Sequence, residues 1–170
     1  MAIVSPDMPI DVVDQNDQPI GVARRNEVFR LQAGFRVVHD LVFNSLGEIL
    51  VQQLASSRNR HPGYWGSSVA AYIFSGESYL EAAERRLAEE LGIRNVPLNY
   101  VGKTSMVDEG CRKFIAVFTT IYDGPIGFDK SHIEKCEFLP LDIIPELQKA
   151  GLRTFTPTFL RVLGFYESRI

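Results

Sequence analysis

The sequence predicts a three-layer α/β/α sandwich on a mixed β-sheet, and three observations carry that prediction. Short β-branched or apolar runs alternate with turn residues through the N-terminal half of the chain; a strongly capped amphipathic helix follows; and further strand-like runs lead into a helical C-terminal stretch. Such a mixture buries its apolar faces by laying helices on a sheet. With 170 residues and 45% hydrophobic content, the chain is long enough for one well-packed domain and short for two. A single domain over residues 1–170 is therefore expected.

Ile10–Val13 and Pro19–Ala23 flank the polar turn Asp14-Gln15-Asn16-Asp17-Gln18, which predicts an N-terminal hairpin over about 8–25. Arg36–Phe43 and Glu48–Leu54 form a second candidate pair around Asn44-Ser45-Leu46-Gly47, with the β-branched content and turn chemistry of a hairpin. A polar loop runs from Ala55 to Gly66, and the apolar stretch Ser67–Phe74 reads as a short buried strand. Ser78 with Glu81 makes a capping box, and Gly92 suits the C′ position of the helix between them. Leu80, Ala83, Leu87 and Leu91 recur on one helical face, predicting the stripe that packs on a sheet, with positions 86, 89 and 90 together on a different face. Asn99–Met106 and Lys113–Tyr122 read as strands, followed by a turn at Asp123-Gly124-Pro125. A strand at Glu137–Pro140, a short helix over Leu141–Ala150 and a last helix opened by Thr156-Pro157 complete the pattern.

Bulk properties exclude several function classes. A net charge of −3, with 18 Lys and Arg scattered along the chain, argues against a nucleic-acid polymer as partner. No apolar run approaches the roughly 20 residues of a membrane span, and Met1–Asp7 shows no secretory leader. The two cysteines, Cys111 and Cys136, have no metal-ligand spacing and read as reduced thiols, with pairing as the alternative. These features predict a soluble cytoplasmic protein.

The chemistry concentrates in Gly76-Glu77-Ser78-Tyr79-Leu80-Glu81-Ala82-Ala83-Glu84-Arg85-Arg86-Leu87-Ala88-Glu89-Glu90-Leu91-Gly92-Ile93, a capped helix carrying acidic side chains on one face. This stretch resembles the Nudix box over about 71–93, with Glu77, Arg85, Leu87, Glu89, Glu90, Gly92 and Ile93 at the pattern's positions. Ala71 stands where the pattern opens with Gly, and Arg86 where a Glu follows the Arg. The order of hairpin, Gln52-Gln53, loop, Pro62-Gly63-Tyr64-Trp65, apolar strand and box is similar to the isopentenyl-diphosphate-isomerase-like branch of the family over roughly residues 8–145.

The resemblance implies the Nudix α/β/α sandwich and a hydrolase that cleaves a diphosphate linkage of a nucleoside diphosphate derivative with Mg²⁺ or Mn²⁺. It implies Glu89 and Glu90 as metal ligands, which suits the preference of hard cations for carboxylate oxygens. Glu77 corresponds to a Glu that buttresses the box and contacts Arg85, in either a structural or a catalytic role. Arg86 can neither ligate Mg²⁺ nor act as a base. Three readings of it stay open: a weakened hydrolase using another base, a binding protein without turnover, or direct bidentate binding of a diphosphate by Arg86. Glu109, His132 and Glu134, outside the box, are candidate bases alongside Glu77. Arg58 is a candidate phosphate contact, with Arg60 and His61 adding positive potential, and Trp65 is a candidate ligand-stacking residue or a core residue. Isomerase activity is not expected, since Ala70-Ala71-Tyr72 and Cys111-Arg112-Lys113 lack the acid/base residues that allylic proton transfer needs. By analogy the fold also allows a homodimer, with the N-terminal hairpin as the candidate surface.

Overall fold

Turn chemistry sets the strand boundaries in this chain, and hydrophobic alternation sets which way each strand faces. The computed structural model describes residues 8–170; the leader-free reading of Met1–Asp7 lies outside them. In chain order the elements are β1 (Pro9–Val13), β2 (Pro19–Arg24), a 3₁₀ turn (Arg25–Glu27), α1 (Val28–Leu31), β3 (Phe35–Phe43), β4 (Ile49–Leu54), β5 (Trp65–Gly66) and β6 (Val69–Tyr72). They continue with α2 (Tyr79–Leu91), β7 (Asn99–Asp108), β8 (Cys111–Ile121), β9 (Ile133–Leu139), α3 (Ile143–Lys149) and α4 (Pro157–Glu167). The 3₁₀ turn and α1 are too short to show helical periodicity in the sequence.

β1 and β2 form their own antiparallel pair, and the other seven strands make one mixed sheet ordered β5-β4-β3-β8-β7, with β6 on β3 and β9 on β4. β3 and β8 run parallel along residues 35–43 and 113–121. The expected hairpin of β3 and β4 is corrected in one respect. Its turn forms, with the Asn44 side chain accepting from the Leu46 and Glu48 amides, but the strands then part and only Phe43 and Ile49 are partners. From Val37 to Asp40 the β3 edge is taken by β6, while β4 pairs with β5.

Ser68 stands where the two pairings divide. Its Oγ accepts from the Val42 amide of β3 at 2.9 Å and donates to the Leu50 carbonyl of β4 at 2.6 Å, serving two main-chain groups that the parting strands leave unpaired. Gln52 adds a bond from Nε2 to the Ser68 carbonyl at 2.8 Å.

Alternation along β3 distributes the core to both faces of the sheet. Val38 and Val42 face α2, joining Ala82, Ala83, Leu87 and Leu91, whereas Val37, Leu41 and Phe43 face the opposite layer with Val28, Ile144, Phe159 and Val162. That opposite layer holds α1, α3 and α4, and the sandwich is complete.

The α2 capping box forms as expected, with Ser78 Oγ accepting from the Glu81 amide, and Gly92 closes the helix in the left-handed conformation at φ 69°. A cap of this type contributes about 1 kcal/mol. Two expectations about α2 are corrected. Leu80 stands 45% exposed in the first turn, where Tyr79 packs instead, and Arg86 and Glu90 are buried at 7% and 4% exposure. Positions 83, 86, 87 and 90 are successive i+3/i+4 neighbours, so the buried surface runs continuously into the charged positions.

The N-terminal hairpin is held by Asp17, a buried turn residue at φ 60°. Its carboxylate accepts from Arg36 Nε at 2.6 Å, Lys103 Nζ at 2.6 Å and Tyr79 Oη at 2.8 Å, joining β3, β7 and α2. Burial alone would raise the Asp17 carboxyl, but the bonds from Lys103, Arg36 and Tyr79 and the Arg36 charge outweigh it and hold it below its ordinary range. Asp17→Asn should cost about 3 kcal/mol in urea denaturation at neutral pH, the scale for breaking a buried ion pair. Because the folded carboxyl is depressed, its stabilisation is present above the free value of 3.8 and is lost as pH falls through the folded value. The difference between wild type and variant should therefore shrink in acid.

Candidate active site

The parting of β3 from β4 opens a cavity of about 160 Å³. One wall is apolar, formed by Phe35, Val37, Leu54 and Tyr72; His39, Gln52, Ser67 and Glu90 lie deeper, and Arg58, Arg60, His61 and Lys113 bring positive charge. Ala70 and Ala71 also border it, but the Ala71 side chain, at the box position where the pattern opens with Gly, packs towards α2 with Val38, Ala82 and Ala83.

His39 Nδ1 and Ser67 Oγ are 2.7 Å apart. Burial, reinforced by the Lys113 charge, pushes the imidazole down to about 3, so His39 is neutral near physiological pH. Lys113 Nζ donates to Asp108 at 2.8 Å and Thr158 at 2.6 Å, with burial lowering the ammonium against the pull of Asp108. Asp108 also accepts from Arg60 Nη2 at 2.8 Å, and the Arg60 guanidinium lies 4.8 Å from the Phe29 ring centroid. These contacts tie the β4–β5 loop to β7 and α1. Arg58, on the same loop, has its guanidinium pKa lowered by burial, against the opposing charge of Glu90.

The box helix presents a closed set of ion pairs. Glu77 holds Arg85 through two bonds at 2.7 and 3.0 Å and accepts from the Phe74 amide, while the Arg85 guanidinium lies 3.5 Å from the Phe74 ring centroid. Arg86 spans both candidate metal ligands, with Nη1 to Glu89 Oε2 at 2.8 Å and Nη2 to Glu90 Oε2 at 2.5 Å. Of the remaining oxygens, Glu90 Oε1 accepts from Gln52 Nε2 at 3.1 Å, while Glu89 Oε1 lies 3.6 Å from Arg85 Nη1, an ionic contact without a hydrogen bond. Nearby Asp40 is fully buried, its carboxyl without a hydrogen-bond partner among the described residues, and is raised well above its ordinary range by burial and the Glu90 charge.

A divalent cation of the Mg²⁺ type needs several free oxygen donors. Among the described residues no group of three His, Cys, Asp or Glu side chains is placed to hold a metal, and Arg86 occupies the one acidic pair on the helix. As arranged, this donor set does not fit such an ion.

The structure brings Arg58, Arg86, Glu89 and Glu90 of the sequence-derived candidates to one region and disperses the others. Glu109 and Glu134 are exposed, in the β7–β8 turn and on β9, and neither lines the cavity. Glu77 is engaged by Arg85. His132 is half-buried in the segment before β9, and its Nε2 has no hydrogen-bond partner among the described residues. That segment meets the box helix through the Asp129 amide, which donates to the Glu90 carbonyl at 3.0 Å. Trp65 is buried in the core, with the Arg153 guanidinium 4.2 Å from its ring centroid, and is not among the cavity-lining residues. His39, Ser67 and Lys113 were not singled out from the sequence. Polar residues inside the apolar runs of β3 and β8 were the available signal.

The lowered His39 value has a sign that can be checked. The unfolded chain takes up this proton near 6.5 and the folded protein only near 3, so stability rises with pH across that interval. His39→Gln should flatten the dependence of Tm on pH between these limits by about one proton equivalent; an unchanged slope would mean that His39 is not buried neutral.

The NUDIX domain family model matches residues 35–159. An uncharacterised Nudix hydrolase of Pseudomonas aeruginosa is 32% identical over 154 residues, covering 91% of this chain and 90% of the relative. An isopentenyl-diphosphate Delta-isomerase of Pectobacterium atrosepticum is 26% identical over 165 residues, 92% of each chain. Among solved structures, DR0079 of Deinococcus radiodurans superposes with a TM-score of 0.82 at 22% identity, covering 91% of this chain and 96% of that one. The matched box helix, the mixed sheet and the two-sided helical layers together make this chain a member of the Nudix family.

Proposed function

We propose that the protein is a Nudix hydrolase that cleaves a diphosphate linkage in a small molecule of the nucleoside diphosphate derivative class, bound in the fork cavity. The observation that carries this reading is the position of Glu90. It belongs to the box and lines a cavity whose other walls supply an apolar surface and the cations Arg58, Arg60 and Lys113. Phosphate oxygens suit the guanidinium groups, which bind them in bidentate fashion, and the ligand body suits the wall of Phe35, Val37, Leu54 and Tyr72. Water is the nucleophile in this reading. None of the candidate bases lines the cavity: Glu77 is held by Arg85, Glu109 and Glu134 are exposed, and His132 Nε2 is buried in the segment that contacts the Glu90 carbonyl.

The Mg²⁺ or Mn²⁺ implied by the family resemblance is an assay variable, because Arg86 closes the acidic pair. The purified protein is to be incubated with nucleoside diphosphate derivatives and triphosphates, with and without each ion, and released phosphate and products measured. Turnover of one class of the panel is the expected result, with its dependence on each ion read alongside. Glu90→Gln should then lower the rate at least about a hundredfold, the scale for losing a charged group that acts in the transition state. An unchanged rate would remove Glu90 from the chemistry.

One observation favours a second reading, a ligand-binding domain without turnover: the Arg86 bridge across Glu89 and Glu90. Its sign would be a rise in Tm with members of the same panel and no product from any of them. Residence in the cytoplasm and a homodimer belong to the lead reading, with the exposed Ile20 and Val22 of β2 as the contact. Light scattering should give the mass of two chains, falling to one on Val22→Lys.

A further inference from the structure

We propose that Arg86 is the resident cation of the box, so that the free protein carries no divalent-metal site until Arg86 is removed from Glu89 and Glu90. The inference concerns the same acidic pair as the functional reading but does not depend on turnover.

Three features of the chain support it. First, the spacing is that of a bridge. From position 86 the helix places residue 89 at i+3 and residue 90 at i+4, and a planar guanidinium has two terminal nitrogens with which to reach both. Second, the bridge is buried. Arg86 is 7% and Glu90 4% exposed, so solvent contributes little to neutralising either group. Buried carboxylates require a partner cation, and here the protein supplies it covalently, from its own helix.

Third, the groups around the pair take up most of its remaining contacts. Gln52 holds Glu90 Oε1, Asp129 holds the Glu90 carbonyl, and Arg85 faces Glu89 Oε1 while itself fixed by Glu77. Asp40, the remaining carboxyl close to Glu90, has no cation beside it and is held towards its neutral form by burial. An incoming divalent ion would have to break the Arg86 bridge and leave the guanidinium buried without its two anions. A metal that binds elsewhere in the chain would not meet this opposition, which makes the prediction specific to the box.

The test uses Mn²⁺ alone, with no substrate, so it can fail while the hydrolase reading stands and can succeed while that reading fails. Binding is to be followed by the loss of the free Mn²⁺ EPR signal and by Tm, for wild type, Arg86→Gln, and Glu90→Gln in the Arg86→Gln background. Wild type should take up no stoichiometric Mn²⁺ and show no metal-dependent change in Tm. Arg86→Gln should have a lower Tm without metal, bind one Mn²⁺ at least about tenfold more tightly than wild type, and regain Tm when the ion is added. The double variant should lose the gain. If Arg86→Gln does not fold, Arg86→Met replaces it, since its apolar chain fills the buried path of the Arg stem without bringing a cation, and the expected direction is the same. Stoichiometric Mn²⁺ binding by wild type, unchanged by the substitution, would overturn the proposal. So would the absence of binding in the folded variant, because Arg86 would then not be what closes the pair.

Discussion

The arrangement of this molecule depends on how the β3 edge is shared. One long strand lends its first half to β6 and only its last residue to β4, and a sheet divided in this way must leave main-chain groups unpaired where the partners separate. Ser68 resolves that constraint by bonding the Val42 amide and the Leu50 carbonyl with a single hydroxyl. An unmet buried backbone group costs roughly 1–3 kcal/mol, so the fork is stable only because a small polar side chain stands in its angle. The cavity exists because the fork is held open. His39, Gln52 and Ser67 reach it from the diverging strands and the crossing between them, and Glu90 reaches it from the helix beneath.

Charge is organised around this opening as a series of neutralised pairs. Asp108 serves both Lys113 and Arg60, Glu77 serves Arg85, and Glu89 and Glu90 together serve Arg86. Breaking one partner from a buried pair typically costs 3–5 kcal/mol, far more than an exposed pair contributes. These contacts therefore specify geometry, fixing the loop that bears Arg58 and the rotamers of the box. The substitution of Arg for Glu at position 86 is consistent with this scheme. It removes one carboxylate from a crowded helix face and places a cation between the two that remain, so the helix folds without outside help.

Much of the fold was legible because turns and caps announce themselves locally. Asn44, Ser78, Glu81, Gly92 and Thr156-Pro157 each placed an element boundary within a residue or two. Pairing was less legible. The Asn44 turn is that of a hairpin, and only the later competition from β6 for the β3 edge shows that the strands part. Helical phase identified Ala83, Leu87 and Leu91 as core but not the burial of Arg86 and Glu90, because polar identity outweighed their i+3/i+4 adjacency to Ala83 and Leu87. The box was recognisable from its resemblance to the family pattern. The cavity floor was not, since His39, Ser67 and Lys113 lie on three segments far apart in the chain and no local pattern joins them.

The N-terminal hairpin bears on where the folding unit begins. The family-matched segment starts at Phe35, yet Asp17 is the counter-ion of Arg36 and Lys103, Phe29 is the ring against which Arg60 lies, and the Arg25 guanidinium sits 5.1 Å from the centroid of the Tyr72 ring in the cavity wall. Ile10 and Val28 also complete the core on that side. A fragment trimmed to the family boundary would lose the carboxylate that balances two cations, together with the apolar support of the cavity rim. The segment by which the family is recognised is thus shorter than the set of contacts that encloses the site, and boundaries drawn from the former would cut through its wall.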